Sequence, residues 1–287
     1  MITASHQPKV AEIARHYDEV DPFYRELWGE HLHHGLWLTG DEGSEEAVRQ
    51  LVDLVVEQAG IRPGHVVCDV GCGYGATARI LSREFGASVI GFTVSEAQYV
   101  YACSRMDDQP NPPRYVLGDW LGNNITPDSF DVVLAIESTE HMVDMGRFLS
   151  EVARVLRPDG RLVICAWLSS DRPDPWEVRH LLGPICDEGR LAALVTADEY
   201  RAELRAAGFV DVVCQELTRR VRRTWDVSLG RMLHRMLTRW SSWEYLLDPR
   251  NTSRTFALTV LRIWLAYRTG CLRYGLLSGT KPEAARA

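Results

Sequence analysis

The sequence has no Cys-x-x-C pair, no apolar segment long enough to cross a bilayer and no excess of basic residues. Its seven cysteines are odd in number and scattered, so they predict neither a disulfide framework nor a zinc site. Lysine and arginine together number 32, against 39 aspartates and glutamates, which gives a formal charge of −7. Because nucleic-acid binders are normally basic, this charge predicts a protein without a nucleic-acid partner.

Targeting and membrane signals are also missing from the 287 residues. The first ten residues, MITASHQPKV, contain no apolar signal core. The longest apolar stretch near the C-terminus, residues 256–267, is interrupted by Arg262 and is too short to span a bilayer. We therefore expect a cytoplasmic protein with reduced thiols and without stable membrane insertion.

Apolar runs, polar breaks and helical periodicity alternate from about residue 44 to residue 218. This alternation is typical of βαβ proteins, so the sequence predicts an α/β fold. Helices are predicted from Ser44, across residues 148–156, and from a Thr196 cap to Ala207. Strands are predicted at residues 65–70, 87–93, 114–117, 130–136, 161–167, 209–217 and 270–278.

Several segments extend beyond a minimal α/β unit. Residues 1–43 are predicted to form a helical lid, and residues 44–220 the core, with an insertion at residues 171–195. Residues 221–269 are predicted to form a helical, aromatic-rich cap, and residues 270–287 the last core strand and the tail. We expect the lid, the insertion and the cap to cover one end of the sheet.

The strongest motif is HVVCDVGCGYG at residues 65–75, where a predicted strand runs directly into three glycines. Asp69 stands two residues before Gly71, which is followed by Gly73 and Gly75. Glycines at a strand end let a ligand approach the backbone because no Cβ intervenes. Ligands of open α/β sheets bind at the carboxyl ends of the strands, so the motif predicts a cofactor crevice there.

The glycine motif has two alternative interpretations. An ordinary tight turn between a strand and a helix explains the glycines without any ligand. A dinucleotide site requires G-x-G-x-x-G and an acidic residue about 20 positions further on. The spacing here is G-x-G-x-G, and the second strand ends in Gly91-Phe92-Thr93 with no acidic residue, so dinucleotide binding is disfavoured.

The run D-x-G-x-G-x-G resembles motif I of the class I S-adenosylmethionine (SAM) methyltransferases. Residues 118–120 (Gly-Asp-Trp), 129–136 and 155–160 resemble the later motifs of that family, so the resemblance covers about residues 60–170. It implies a Rossmann-like, seven-stranded, mostly parallel sheet with an antiparallel last strand and helical lid insertions.

The same resemblance implies SAM as the cofactor. Asp69, Gly71 and Gly73 then lie beside it, because its sulfonium and ammonium groups are cationic and favour a nearby carboxylate. Asp119 is expected to accept a hydrogen bond from the adenine amine, and Trp120 to stack on the adenine ring.

The segment GFTVSEAQ at residues 91–98 stands where most of the superfamily has a ribose-binding acidic residue. It resembles the G-[IL]-[TS]-x-S-x-x-Q segment of cyclopropane-fatty-acid synthases, sugar O-methyltransferases and tocopherol methyltransferases. The resemblance implies that Thr93 and Gln98 bind the ribose, with Glu96 as the alternative. A solvated helix position is the other interpretation of Gln98.

Four further segments, residues 17–28, 31–37, 137–142 and 266–282, resemble the tocopherol-type methyltransferases. The same segments are also similar to sterol, terpene, alkaloid and sugar methyltransferases. It therefore predicts the reaction class better than the substrate.

Methyl transfer from a sulfonium needs a nucleophile that is held close, aligned and dry, and a lid provides these conditions. Tyr17 and Trp37 are expected to close over the methionine end of the cofactor, and Glu137 to contact it.

The polar side chains expected near the acceptor are His33, His34, Glu137, Glu140 and His141. Because His33 and His34 are adjacent, at most one of them is expected to face the pocket. Glu140 and His141, and then His34, are the candidate catalytic bases, either for a phenol or amine or for the proton lost after a carbocation forms. Alternatively, Glu140 and His141 only hold the cofactor or cap the next helix.

The C-terminal region offers two interpretations of the acceptor. Its aromatic residues either fill a core or line a pocket for a lipophilic acceptor. They are Trp225, Trp240, Trp243, Tyr245, Phe256, Trp264 and Tyr267. The arginines before them either form a solvated edge or bind an anionic tail of the acceptor, such as a diphosphate. In the second case, residues of the insertion would contact the phosphate or a Mg²⁺ ion. The residues of that second interpretation are Arg219, Arg220, Arg222, Arg223, Arg179, Glu177 and Asp187.

Together these features predict a SAM-dependent methyltransferase that moves a methyl group to carbon or oxygen of a lipophilic small molecule (terpenoid, prenylated or aromatic) in specialised metabolism. The alternatives are a prenyl-diphosphate C-methyltransferase, a pericyclase or cyclopropane-type enzyme that keeps the SAM site, and a non-catalytic SAM-binding protein. No metal is expected in the site. The sequence leaves open whether the protein forms a homo-oligomer.

Overall fold

The computed structural model describes residues 1–106, 111–238 and 256–283. Its strands are β1 (Ile2–Thr3), β2 (Val66–Val70), β3 (Ser88–Thr93), β4 (Arg114–Leu117), β5 (Phe130–Ile136), β6 (Leu156–Ser169), β7 (Ala193–Leu194), β8 (Val210–Glu216) and β9 (Leu272–Thr280). Its helices are α1 (Val10–Trp28), α2 (Ser44–Ala59), α3 (Ala76–Phe85), α4 (Glu96–Ser104), α5 (Met145–Val155), α6 (Pro175–Glu177), α7 (Gly183–Gly189), α8 (Ala197–Ala206), α9 (Thr218–Val221), α10 (Arg223–Thr238) and α11 (Phe256–Thr269). In these ranges no helix combines the length and the hydropathy needed to cross a bilayer.

Seven strands form one sheet in the order β4-β3-β2-β5-β6-β9-β8. The strands from β4 to β6 pair in parallel, whereas β9 lies antiparallel between β6 and β8. The predicted Rossmann-like, mostly parallel sheet with an antiparallel last strand is therefore confirmed. The chain order reverses at β2, so a ligand crevice is expected at the carboxyl ends of β2 and β5.

The central strands are apolar on both faces because helices cover the sheet on both sides. In β5, Val132 and Leu134 belong to a buried cluster with side chains of α2, α3 and α11. Val133 and Ala135 point to the opposite face and join a cluster with α5 and α8. This two-sided burial fixes the strand ends that carry the site.

Strand β6 begins at Leu156 rather than at the predicted residue 161. Residues 158–160 form a distortion within the strand, where Asp159 adopts a φ of 60°. A Cβ on Gly160 would lie 2.7 Å from the Arg157 carbonyl oxygen, so glycine is required there. The register with β5 shifts at the same place, as in a β-bulge.

The insertion after β6 contains α6, a π-helical turn at Val178–Leu182, α7 and β7. Strand β7 pairs antiparallel with β1 at the start of the chain. Strands of two residues carry no periodicity, so this pairing is not predictable from the sequence pattern.

Helix α1, in the predicted lid, is fixed to the sheet by side-chain hydrogen bonds. Asp18 Oδ1 accepts from Ser95 Oγ at 2.6 Å and from the Ala97 N–H at 3.1 Å, both at the start of α4. The hydroxyl of Tyr74, within the glycine motif, donates to Asp21 Oδ1 at 2.7 Å. Since the N-terminus of a helix favours a carboxylate, Asp18 is well placed to hold α1 there.

The predicted cap is seen in part, as α10 and α11. Trp225 and Tyr267 are buried, and Trp264 Nε1 donates to Asp226 Oδ1 at 2.8 Å. The predicted aromatic residues Trp240, Trp243 and Tyr245 lie outside the described residues.

The predicted cap of α8 yields a stability test. Thr196 Oγ1 accepts from the Glu199 N–H at 3.2 Å, and Glu199 Oε2 accepts from the Thr196 N–H at 2.8 Å. We expect Thr196→Ala to lower the free energy of unfolding in urea by about 1 kcal/mol, the usual effect of losing an N-cap. Thr196→Ser keeps the hydroxyl and should be nearly neutral; an equal loss in both variants would contradict the capping role.

Candidate active site

A cavity of about 670 Å³ lies at the carboxyl ends of β2, β3 and β5. This volume falls in the range of roughly 300–1,000 Å³ that is usual for small-molecule sites. One part is lined by the glycine motif and by the loops after β3 and β4, and the other by α1, α7, α10 and α11. The cavity thus joins a crevice above the sheet to a chamber beneath the added helices.

Two glycines shape the crevice by different means. Gly71 has a φ of 78°, and a Cβ there would lie 2.3 Å from Ser138 Cβ, so glycine lets the loops after β2 and β5 touch. Gly73 has a φ of 53°, but a Cβ there would meet no described atom within 4 Å. Gly73 therefore faces open space that a ligand can fill.

Two buried polar atoms in the crevice lack a hydrogen-bond partner among the described residues: Asp69 Oδ2 and Trp120 Nε1. Each side chain belongs to a residue that is 2% exposed. Burial raises the pKa of Asp69 to about 7. Because unpaired buried polar atoms are costly, a ligand that brings a cationic donor to Asp69 and an acceptor to Trp120 is favoured.

Thr93, Gln98 and Asp119, which were predicted to bind the ribose and adenine, also line this cavity, whereas Glu96 does not. Thr93 Oγ1 donates to Gln98 Oε1 at 2.7 Å, and both residues are buried in the cavity wall. Asp119 is exposed to the cavity and accepts from the Leu121 N–H through Oδ1 at 3.0 Å. Glu96, the alternative ribose ligand, is exposed at the start of α4 and is not among the residues that line the cavity.

Glu137, directly after β5, is the acceptor of four hydrogen-bond donors. These are the His34 N–H at 2.7 Å, His34 Nδ1 at 2.9 Å, Trp167 Nε1 at 2.9 Å and the Tyr274 hydroxyl at 2.8 Å. Burial alone would raise the pKa of this carboxyl, but the His34 ring and the Trp167 donor outweigh it and bring the pKa to about 2. Glu137 is therefore an anion, and its oxygens are already used by the protein rather than left for a cofactor.

His34 is fully engaged, so its expected role as a catalytic base is corrected here. Its Nε2 lies 2.6 Å from Trp225 Nε1, which can only donate, and 3.1 Å from the Tyr267 hydroxyl. Nε2 must therefore accept, and the proton resides on Nδ1, facing Glu137. Both ring nitrogens of His34 hydrogen-bond to other residues of the protein, Nδ1 to Glu137 and Nε2 to the cap helices. Neither is available to an acceptor molecule.

Glu140 contrasts with Glu137 although it is three residues away. Its Oε1 accepts from the Trp167 backbone N–H at 2.6 Å, whereas its Oε2 is buried without a partner among the described residues. Burial is the main cause that raises the pKa of Glu140 to about 8; the Trp167 N–H lowers it and neighbouring Glu137 raises it further. Glu140 is thus mainly protonated at neutral pH.

His141 offers a lone pair next to the cavity. Its Nδ1 lies 2.9 Å from the Arg190 carbonyl oxygen, which can only accept, so Nδ1 carries the proton. Its Nε2 is then the acceptor of the Tyr17 hydroxyl at 2.8 Å. Burial lowers the pKa of His141, more than the Arg190 carbonyl raises it, so the ring is neutral at pH 7.

Two expectations about the lid loop are wrong. Trp37 does not line the cavity; its Nε1 donates to Thr224 Oγ1 at 3.1 Å and Arg223 lies over its ring. His33 and His34 both line the cavity, although one was expected. The reason is that residues 31–34 are irregular, so adjacent side chains are not forced to opposite sides.

The diphosphate site, one of the two interpretations of the arginine run, is not assembled in the structure. The four arginines at positions 219, 220, 222 and 223, like Arg179, are exposed and do not line the cavity. Glu177 caps the start of α6 by accepting from the Asp174 N–H at 2.8 Å. Asp187 does line the cavity, but it accepts from Ser5.

The sequence analysis missed several residues of the site: Trp167, Arg190, Thr224 and Tyr274. Only the backbone of Arg190 is used, so no residue type could have indicated it. Trp167 and Tyr274 lie in strands whose composition is explained by the core.

Comparison with known proteins identifies the family. The chain matches the family described as "Mycolic acid cyclopropane synthetase" over residues 4–274. The chain belongs to this family. It is a class I SAM-dependent methyltransferase and its cofactor is SAM, as the motif resemblance implied.

Individual relatives agree over most of the chain. Tocopherol O-methyltransferase of Arabidopsis thaliana is 29% identical over 94% of this chain and 82% of its own. The 27-O-demethylrifamycin SV methyltransferase of Amycolatopsis mediterranei (strain S699) is 33% identical over 78% of this chain and 83% of its own. The fold matches that of the cyclopropane synthase MmaA2 from Mycobacterium tuberculosis with a TM-score of 0.84, at 22% identity over 96% and 100% of the two chains.

The crevice fits this cofactor, because Asp69 Oδ2 and Trp120 Nε1 lack partners and Gly73 borders open space. When bound, SAM supplies a methyl group that its positively charged sulfur has already activated. We propose that the residues that hold it are Asp69, Gly71, Gly73, Thr93, Gln98, Asp119 and Trp120.

The raised pKa of Asp69 predicts pH-dependent cofactor binding. Between about pH 5.5 and pH 7 the Asp69 carboxyl becomes increasingly ionised, while the cofactor's α-amino group, with a pKa near 8, stays charged. Calorimetric titration should therefore show SAM binding roughly tenfold more tightly at the higher pH. Asp69→Asn should bind weakly without this dependence; equal, pH-independent affinities in both proteins would remove Asp69 from the cofactor site.

Proposed function

We propose that this enzyme transfers the methyl group of SAM to a hydroxyl oxygen of an uncharged, lipophilic small molecule of specialised metabolism. The observation that carries the proposal is His141, a neutral imidazole whose Nδ1 is fixed by the Arg190 carbonyl and whose Nε2 lone pair lies at the cavity. An alcohol or phenol must lose its proton as the new bond to carbon forms, and a positioned imidazole accepts such a proton.

The acceptor chamber is suited to an apolar molecule. Its walls are mostly aliphatic and aromatic, as is usual for lipophilic ligands. They include Ile13, Val20, Tyr24, Trp28, Trp167, Ile185, Leu191, Trp225, Val260 and Ile263. Burial of apolar ligand surface against such walls contributes about 25 cal/mol per Å².

The charges of the cavity disfavour an anionic acceptor. Arg15 and Arg190 are the basic side chains of the described cavity wall, and both are exposed. The predicted arginine run lies outside it, and buried Glu137 adds a fixed negative charge inside. A phosphate, diphosphate or carboxylate group would therefore be held without a buried cation, which is costly.

In the proposed reaction, the hydroxyl of the acceptor replaces Tyr17 as the hydrogen-bond donor to His141 Nε2. Tyr17 sits on α1, whose contacts with α4 and the glycine motif keep the region covered. Enclosure excludes water and holds the reacting groups together, which is what an in-line displacement requires. The names of two sequence relatives specify oxygen, whereas that of the sterol 24-C-methyltransferase of Saccharomyces cerevisiae specifies carbon, so the choice of oxygen rests on His141.

We predict that His141→Phe lowers kcat roughly 10²- to 10⁴-fold, the usual contribution of a general base, while SAM affinity measured by calorimetry stays unchanged. S-adenosylhomocysteine formation against a panel of phenolic and terpenoid alcohols gives the rate. The surface variant His6→Ala is the matched control, because the His6 side chain is 71% exposed. Wild-type turnover in His141→Phe would place the base elsewhere.

The methylated atom is tested with SAM carrying a ¹³C-labelled methyl group. The carbon chemical shift of the product should be that of an O-methyl group. A label in a C-methyl or a cyclopropane carbon would contradict transfer to oxygen. A product of unchanged mass, or SAM binding without turnover across the panel, would support the pericyclase or the non-catalytic alternative instead.

A further inference from the structure

Two carboxyl groups lie at the end of β5, and both line the cavity. Glu137 and Glu140 are three residues apart, and the negative charge of Glu137 raises the pKa of Glu140. Two carboxyls that share a poorly solvated site do not both ionise readily, so their hydrogen bonds decide which one holds the charge.

The hydrogen bonds assign the charge to Glu137. Its hydrogen-bond partners His34, Trp167 and Tyr274 all donate to it. The ionised form of a carboxyl group is the one that only accepts. Glu140 Oε1 accepts from the Trp167 N–H, and the Glu140 N–H and the Thr139 side chain also favour its ionised form, but these effects are smaller than that of burial. Its Oε2 has no hydrogen-bond partner among the described residues. Glu140 is 5% exposed, and it lines the cavity.

Among the described residues, no cation is a main cause of the pKa shift of Glu140. The titratable groups that interact with it include Glu137, Tyr17, Cys165, Tyr200 and Tyr267, and the adjacent His141 is neutral. These groups come from α1, β6, α8 and α11 as well as from the loop that bears Glu140. Each is acidic or neutral, so the surroundings favour the protonated carboxyl.

We propose that Glu140 is a neutral carboxylic acid that donates a hydrogen bond from Oε2 to a second oxygen of the acceptor molecule. This inference rests on the proposed transfer to oxygen and narrows its substrate class. The acceptor carries the hydroxyl that is methylated and, within reach of the neighbouring residue, a carbonyl, ether or second hydroxyl oxygen. Hydroquinones, catechols and hydroxyketones have this pattern, whereas simple terpene alcohols do not.

The arrangement explains why Oε2 is left without a partner. A buried donor that the protein itself leaves unsatisfied discriminates strongly between ligands that have and that lack the matching acceptor. The contact is adjacent to His141, and Tyr17 is within electrostatic reach of Glu140. The two oxygens of the acceptor would thus meet an acid and a base on one short turn of chain, Thr139–His141.

The protonation state can be measured without knowing the acceptor. Infrared difference spectra of the S-adenosylhomocysteine complex, wild type minus Glu140→Gln, should contain the C=O band of a protonated carboxylic acid at neutral pH. The band should disappear as the pH rises through about 8. Its absence at neutral pH would overturn the inference while leaving methyl transfer untouched.

Turnover of substituted enzymes tests the contact itself. Glu140→Gln keeps a neutral donor and an acceptor for the Trp167 N–H, and we expect kcat/KM within about tenfold of wild type. Glu140→Met has a similar length but no donor, and we expect a loss of roughly 10- to 100-fold. Near-complete loss in Glu140→Gln would show that an ionised base is needed, and wild-type activity in Glu140→Met would show that no contact is made; either result overturns the inference.

The acceptor pattern is tested with a prenylated hydroquinone and the prenylated phenol that lacks its second oxygen. The wild type should favour the hydroquinone roughly 10- to 100-fold, and Glu140→Met should remove this preference. Equal preference in the two enzymes would contradict the contact. Failure to methylate either compound, with the infrared band present, would count against the proposed function and not against the neutral carboxyl.

Discussion

The buried carboxylate of Glu137 is the interaction on which the rest of the site depends. Through its four donors it joins the end of β5 to the lid loop, to β6 and to β9. His34 extends the network to α10 and α11 by accepting from Trp225 and Tyr267. The backbone of Glu137 has a φ of 52°, a conformation that non-glycine residues adopt at a cost of roughly 1–3 kcal/mol, and the hydrogen bonds offset that strain.

The negative charge of Glu137 affects the protonation of neighbouring groups. A second anion nearby is disfavoured, so Glu140 remains protonated although it belongs to the same loop. Burial lowers the pKa of His16 to about 4 and that of His31 to about 3, so both rings are neutral at pH 7. Buried Glu137, protonated Glu140 and neutral His141 thus stand together at the end of β5, an arrangement that suits an uncharged acceptor that loses a proton.

The strands and the cofactor crevice could be predicted because their signals are local. A run of apolar residues before Gly71 and Gly73 specifies a strand end, and backbone φ values require the glycines. The Glu137 network could not be predicted, because its donors His34 and Tyr274 are 103 and 137 residues away along the chain. A histidine in a predicted lid is equally compatible with catalysis and with packing until the hydrogen-bond partners of its two nitrogens are known.

Errors in the sequence analysis have the same origin. Trp37 was expected over the cofactor because its segment resembles a lid, but such a resemblance does not fix the direction of a side chain in an irregular loop. Of the two interpretations of the arginine run, the solvated edge agrees with the structure and the diphosphate site does not. In the folded chain its members are exposed, since a charged side chain gains more from water than from an apolar chamber.

The most direct test of the account is the free energy of unfolding of Glu137→Gln compared with the wild type as a function of pH. The pKa of Glu137 is about 2 in the folded protein against an ordinary value of 4.5, so its stabilisation is complete above about pH 4.5 and is lost as the pH falls towards 2. We predict that the variant is less stable by about 3 kcal/mol at neutral pH, because it loses hydrogen bonds to a buried charge, and that the difference shrinks over that acidic interval. Tyr274→Phe, which removes one of the four donors, should lose about 1 kcal/mol. Equal stability of Glu137→Gln and the wild type at neutral pH would contradict the account.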